Sequence, residues 1–162
     1  MRHLFQKEES ETSGLLASKL YNDQSFYERF IKDLKVCHES VLIESPFMTL
    51  RRMNVLLPQL ETLITRGIRV IVNTRDPHEH EDLRLASQAA DAIEKLQAID
   101  VLVLYTVGHH RKLSVIDNHI LWEGSLNILS QNTSCEFMRR IDSPDLAKQT
   151  IDFIGLTKYI DF

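Results

Sequence analysis

His110-Arg111-Lys112-Leu113-Ser114-Val115-Ile116-Asp117, followed after six residues by Gly124-Ser125-Leu126-Asn127, is the stretch that decides how this chain is read. As a pattern it is H-x-K-x4-D-x6-G-S-x-N. The residues around His110 alternate like a strand, so side chains two apart share a face and neighbours point to opposite faces. His110 and Lys112 are therefore expected on one face. Asp117, an odd number of positions from both, is expected to face away as a structural hydrogen-bonding partner. Ser125 and Asn127 are again two apart, and a glycine just before them, Gly124, suits a chain bending closely past a ligand or another backbone. One face would thus carry an imidazole, an ammonium, a hydroxyl and a carboxamide. That set offers a nucleophile or proton carrier with several donors for anionic oxygens, and the natural anion is a phosphoryl group.

Six positions fixed within eighteen residues resemble the HKD motif of the phospholipase D superfamily. Only one copy is present, so the resemblance is to the single-motif branch, whose best-known members are small dimeric endonucleases, rather than to the two-motif lipases. It implies an α/β fold with a mixed, mostly parallel sheet and helices on both faces. It also implies that two chains bring their motifs together across a two-fold axis, because one motif is half an active site. In that reading one His110 attacks phosphorus to give a phosphohistidine. The partner's His110 protonates the leaving oxygen and then activates water. Lys112 and Asn127 would hold the non-bridging oxygens, and Ser125 or Glu136 would orient the imidazole. Glu136 is matched to the carboxylate that the family carries on a downstream strand. Cationic and amide donors do the work that metal does elsewhere, so no cofactor and no metal are implied.

The rest of the chain sets the frame. At 162 residues it is long enough to bury roughly 68–70% of its unfolded surface and hold its own core. Cys37 and Cys135 have no metal-ligand spacing and fit a reducing compartment. No apolar run approaches a membrane span, and the first residues lack a signal-peptide core, so a cytoplasmic location and no membrane contact are expected. The formal net charge of −4 runs against the basic footprint usual for a nucleic-acid enzyme. Its distribution softens the objection. Residues 48–75 hold five arginines against Glu61 alone, whereas 76–100 hold seven acids against Arg84 and Lys95.

Residues 1–12 read as a flexible arm and 13–162 as one domain. Leu15, Leu16 and Leu20, then Phe26 to Leu34, follow helical spacing, with Ser25 as an N-cap for the second piece. Ser40 to Ser45 is a buried strand stopped by Pro46. Residues 48–66 are helical, with Pro58 kinking the helix or starting a second segment and Gly67 closing it. Ile68 to Val72 is the next strand, and this order predicts a parallel crossover. Ligands gather at carboxyl ends of such strands, which makes Ser45 and Arg75 candidate substrate-binding residues. Glu123, beside Gly124, is another.

His78 and His80 lie among acids, but His-x-His on a helix does not project to one face, so a metal site is not expected there. Leu83, Ala86, Ala90, Ile93 and Leu96 or Gln97 continue a helix. Val101 to Tyr105 is a third buried strand, 113–116 and 119–122 are strands joined at Asp117-Asn118, and 135–141 is another. Ser143-Pro144 opens a final helix.

An endonuclease or other phosphodiesterase acting on nucleic acid, DNA ahead of RNA, is the leading expectation, working as a homodimer or with a helicase or restriction partner. The alternatives are a phospholipid-hydrolysing enzyme and a catalytically silent nucleic-acid-binding module.

Overall fold

The computed structural model describes residues 17–130 and 134–160. The expected arm over residues 1–12 lies outside them. Seven strands in the described residues form one sheet: β1 (Lys19–Asn22), β2 (Ser40–Glu44), β3 (Arg69–Thr74), β4 (Leu102–Tyr105), β5 (Leu113–Ile116), β6 (Ile120–Gly124) and β7 (Phe137–Asp142). Their order across the sheet is β1-β7-β6-β5-β2-β3-β4.

The mixed α/β sheet is as expected, but it is not mostly parallel. Only β2–β3 and β3–β4 run parallel, and the remaining four pairings are antiparallel. The reason lies after β4, where no further crossover helix follows. Asp117 and Asn118 take φ of 53° and 50°, and the His119 N–H donates to the Ile116 carbonyl. Two successive positive φ values make the tight turn whose twist matches a hairpin, so β6 folds straight back on β5.

Helices α1 (Asp23–Lys35), α2 (Leu50–Thr65) and α3 (Leu83–Ala98) cover one face, and α4 (Pro144–Ile154) the other. On the first face Phe26, Phe30, Met53, Leu56, Ile93 and Leu96 bury against Val41, Ile43, Val70, Val72 and Trp122. On the second, Ala147 and Ile151 bury against Leu42, Ile71, Val115, Leu121 and Ile141. Alternate residues of each central strand thus enter different cores, which is why these strands read as continuous apolar runs.

Local details depart from sequence pattern where tertiary contacts win. Leu20, expected in a helix, lies in edge strand β1, because the backbone of 19–22 satisfies the open edge of β7; Leu15 and Leu16 lie outside the described residues. The N-cap of α1 is Asn22, with Ser25 as its reciprocal capping partner three residues on. Helix α2 runs through Pro58 as one element. Pro58 and Asn54, whose carbonyl loses its partner, are both on the exposed side, where water can satisfy it. In α3 the buried stripe is Ala89, Ala92, Ile93 and Leu96, while Leu83 is 84% exposed and Ala90 is exposed. Strand β4 is an edge rather than a buried strand, with Leu102 and Tyr105 about half exposed.

Candidate active site

Because β5 runs against β2, and β6 with it, the start of β5 meets the carboxyl ends of β2, β3 and β6 along one edge of the sheet. The motif lies on that edge. Residues 109–112 precede β5 rather than belong to it, yet they keep the alternation: His109 is buried and His110 exposed. The ladder effectively reaches Lys112, whose carbonyl accepts from the Gly124 N–H at 3.3 Å. Lys112 Nζ donates to the His110 carbonyl at 2.9 Å, which folds the ammonium back onto the His110 backbone.

The buried side of the same segment is an anchor that sequence reasoning missed. Arg111 forks onto Glu44, with Nε at 2.5 Å from Oε2 and Nη2 at 2.8 Å from Oε1. Glu44 is fully buried and also accepts from Asn73 Nδ2 at 2.7 Å, while Asn73 bonds Thr106 in the loop leading to the motif. The hydrogen bond to Glu44 is the main reason the Arg111 guanidinium is held above its ordinary pKa, burial opposing. His109 Nε2 lies 3.2 Å from the Asn73 carbonyl, so Nε2 carries the proton in this contact. Burial lowers the His109 pKa, with the charge of Glu44 opposing. The one available signal was a glutamate closing an otherwise apolar strand, which needs a buried cation to be tolerated.

The loop after β6 is fixed from several sides. Ser45 Oγ accepts from the Leu129 N–H and donates to the Phe47 carbonyl, and the Leu129 carbonyl accepts from the Thr49 N–H. Tyr27 Oη donates to the Ile128 carbonyl. This fixes Ser45 as a loop anchor at the end of β2. Between these contacts Asn127 is 8% exposed, and its Oδ1 has no hydrogen-bond partner among the described residues. Gly124 is required by close approach: a Cβ there would lie 2.2 Å from the Phe137 carbonyl oxygen.

Ser125 Oγ accepts from the Phe137 N–H, and its own N–H donates to the Phe137 carbonyl, so Ser125 locks β6 to β7. Glu136 accepts from Ser134 Oγ. In the single chain neither is bonded to His110; the group on the ring is Arg75, whose Nη2 lies 2.9 Å from His110 Nε2. Glu123 is exposed, with Arg139 as its cross-strand neighbour, in a groove of about 460 Å³ that also takes in Arg111, Lys112 and Phe137. Asp117 sits at the far end of β5, away from this edge. Its carboxylate accepts from the N–H groups of His38, Glu39 and Ser40 and from Cys37 Sγ. Burial would raise its pKa, but those donors outweigh it and hold the carboxyl below its usual range. Farther round the rim, His78 pairs with Asp76 while His80 is buried against Phe47, so the two histidines diverge.

A family model described as "Cardiolipin synthase, PLD-like domain" matches residues 30–154. The chain belongs to the phospholipase D-like family. Its members act on phosphodiesters, and the matched region holds every motif residue above. No curated protein sequence is significantly similar to it.

Among solved structures, the phospholipase D family member Nuc from Salmonella typhimurium superposes with a TM-score of 0.66 at 14% identity, covering 84% of this chain and 90% of that one. NucT from Helicobacter pylori gives 0.64 at 16% identity, covering 90% and 98%. The phosphatidylserine synthase of Haemophilus influenzae Rd KW20 gives 0.58 at 12% identity, covering 87% of this chain and 38% of that one. These likenesses show that this phospholipase D-like chain shares their fold. Among the described residues, no helix is long and apolar enough to cross a membrane.

Proposed function

We propose that this phospholipase D-like chain is a nuclease that cleaves nucleic-acid phosphodiester bonds without a metal ion, in a site shared by two copies of the chain. The observation that carries the reading is the composition of one sheet edge. It presents one exposed imidazole and one ammonium held on the same short segment, and the loop leaving β6 adds the buried carboxamide of Asn127, whose oxygen has no partner among the described residues to fix its orientation; together these are half of what a two-step displacement needs.

His110 attacks phosphorus and forms the P–N bond as the P–O bond to the leaving group breaks. The partner copy's imidazole gives that oxygen its proton, then takes one from the water that releases the phosphohistidine. Lys112 and Asn127 hold the non-bridging oxygens, with the carboxamide turning its N–H2 toward them; which end of the amide points where is set by the ligand. Glu136, just ahead of β7, is the carboxylate assigned to steady the ring when the two halves meet. A polynucleotide fits the adjoining groove, where Lys112 and Arg139 supply cations for the backbone and the half-exposed Phe137 supplies a stacking ring. Local cations of this kind answer the chain's acidic net charge.

A phospholipid is the second reading. It is favoured by Val107, 89% exposed in the loop before His110, an apolar rim residue that the sequence pattern did not single out. Wild-type and His110→Asn chains, unfolded together and refolded with random pairing verified by a tag, separate a shared site from a self-contained one. On single- and double-stranded DNA and RNA, activity should fall as the square of the wild-type fraction and survive EDTA. A straight line, or cleavage confined to phosphatidylcholine or cardiolipin vesicles, would overturn the proposal.

A further inference from the structure

Arg75 follows β3 and reaches across to the motif. Its Nη2 lies 2.9 Å from His110 Nε2 and 3.0 Å from the His109 carbonyl, and its guanidinium carbon lies 5.2 Å from the centre of the Phe47 ring. Its Nε is buried and makes no hydrogen bond among the described residues. A guanidinium has donors and no acceptor, so at this contact the lone pair must belong to the imidazole nitrogen. A nitrogen whose lone pair is held by a donor cannot attack phosphorus. The free chain therefore keeps its proposed nucleophile capped.

We infer that Arg75 is a substrate-exchanged cap: it covers His110 Nε2 until a phosphodiester arrives, then moves its guanidinium to a non-bridging oxygen and so releases the lone pair for attack. This rests on the phosphodiester reading above and adds a residue outside the motif. The exchange is favourable because the guanidinium trades a neutral acceptor for an anionic one, which adds charge–charge attraction and lets its planar fork meet two oxygens at once. A short move suffices, since the capped nitrogen and the phosphorus it attacks must come within about 3–3.5 Å of each other. The Phe47 ring flanks the guanidinium and gives it a surface to pivot on, while the unpaired Nε leaves a second donor for the anion. A plain structural arginine holding the 106–110 loop would use the His109 carbonyl and gain nothing from pointing at the imidazole.

The test uses the full-length chain, inorganic phosphate as the anion and bis(p-nitrophenyl) phosphate as a reporter. Arg75→Ala should weaken phosphate binding at least tenfold and lower kcat/KM by about 10². Guanidinium added to the medium should restore part of the rate. Unchanged phosphate affinity with no guanidinium rescue overturns the inference, whatever happens to the melting temperature.

A second measurement needs no variant: in the wild type, the 15N resonance of His110 Nε2 should move as phosphate saturates the site, because its donor has left. A resonance that stays in place at saturation also overturns it. If the wild type cleaves no phosphodiester at all, the functional reading fails, while the phosphate affinities and the His110 resonance still judge Arg75.

Discussion

Replacing Glu44 with Ala probes the anchor beneath the motif. Glu44 is fully buried, accepts two hydrogen bonds from Arg111 and one from Asn73, and is the group that ties the residue between His110 and Lys112 to β2. Removing one partner of a buried ion pair costs about 3–5 kcal/mol, mostly because the other charge is stranded. Here the Arg111 side chain is 38% exposed and can turn toward water, so the lower end, about 3 kcal/mol, applies. For a chain of this size each kcal/mol moves Tm by about 2–4 °C, which gives a fall of about 6–12 °C by calorimetry. Arg111→Met alone should be worse, because it leaves a fully buried carboxylate with the Asn73 amide but no cation to balance it. The double variant should recover part of the loss, since neither charge then remains, with a coupling of about 0.5–3 kcal/mol between the two sites. Turnover should fall with Glu44→Ala as the segment carrying His110 loosens. A Tm within about 2 °C of wild type, or strictly additive single and double variants, would refute the anchor argument.

Asp117, held below its usual pKa, contributes stability that is complete above the unfolded carboxylate value of about 3.9 and is lost as pH falls through the lower folded value. Urea midpoints measured against pH should drop on that acid limb in wild type and flatten in Asp117→Asn; identical limbs would count against it. Cys37 is buried, and burial with the Asp117 contact pushes its thiol up to about 12, whereas Cys135 is exposed. Iodoacetamide should therefore modify Cys135 in the native protein and Cys37 only after denaturation, as read by mass spectrometry; native labelling of Cys37 would contradict the packing.

Much of the fold was legible because its strands obey simple signals. The β2 and β3 runs, the glycine after α2 and the turn-prone Asp117-Asn118 pair each carry a local physical cause that tertiary contacts reinforce. What failed were features decided by partners distant in sequence. Leu20 sits on a helical pattern but is claimed by the open edge of β7, and Ser25 looks like a cap until Asn22 accepts its N–H. The parallel-to-antiparallel balance turned on the absence of one more helix between β4 and β5, which no periodicity states. At the site, spacing placed His110 apart from His109, since alternation survives even where the ladder has ended. Arg75 was placed near the site by its position at the end of a strand, but its contact with His110, and the whole role of Glu44, were not legible, because they arise from partners 35 and 67 residues away along the chain.

The alternation also explains how an acidic chain can build the proposed phosphate site. Residues 109 and 111 turn inward, where His109 and Arg111 meet Asn73 and Glu44; residues 110 and 112 turn outward, where His110 and Lys112 face the edge. The inward pair spends the cation of Arg111 on a buried carboxylate, so Arg111 adds rigidity more than field at the reacting nitrogen. The positive charge that a phosphoryl group meets must then come from Lys112 and from Arg75, which reaches in from a different strand. Net charge is the wrong measure for such a site. Two cations brought to within hydrogen-bond reach of one histidine act at a few ångströms, whereas the exposed Asp91 and Glu94 of α3 act through water and are screened by salt.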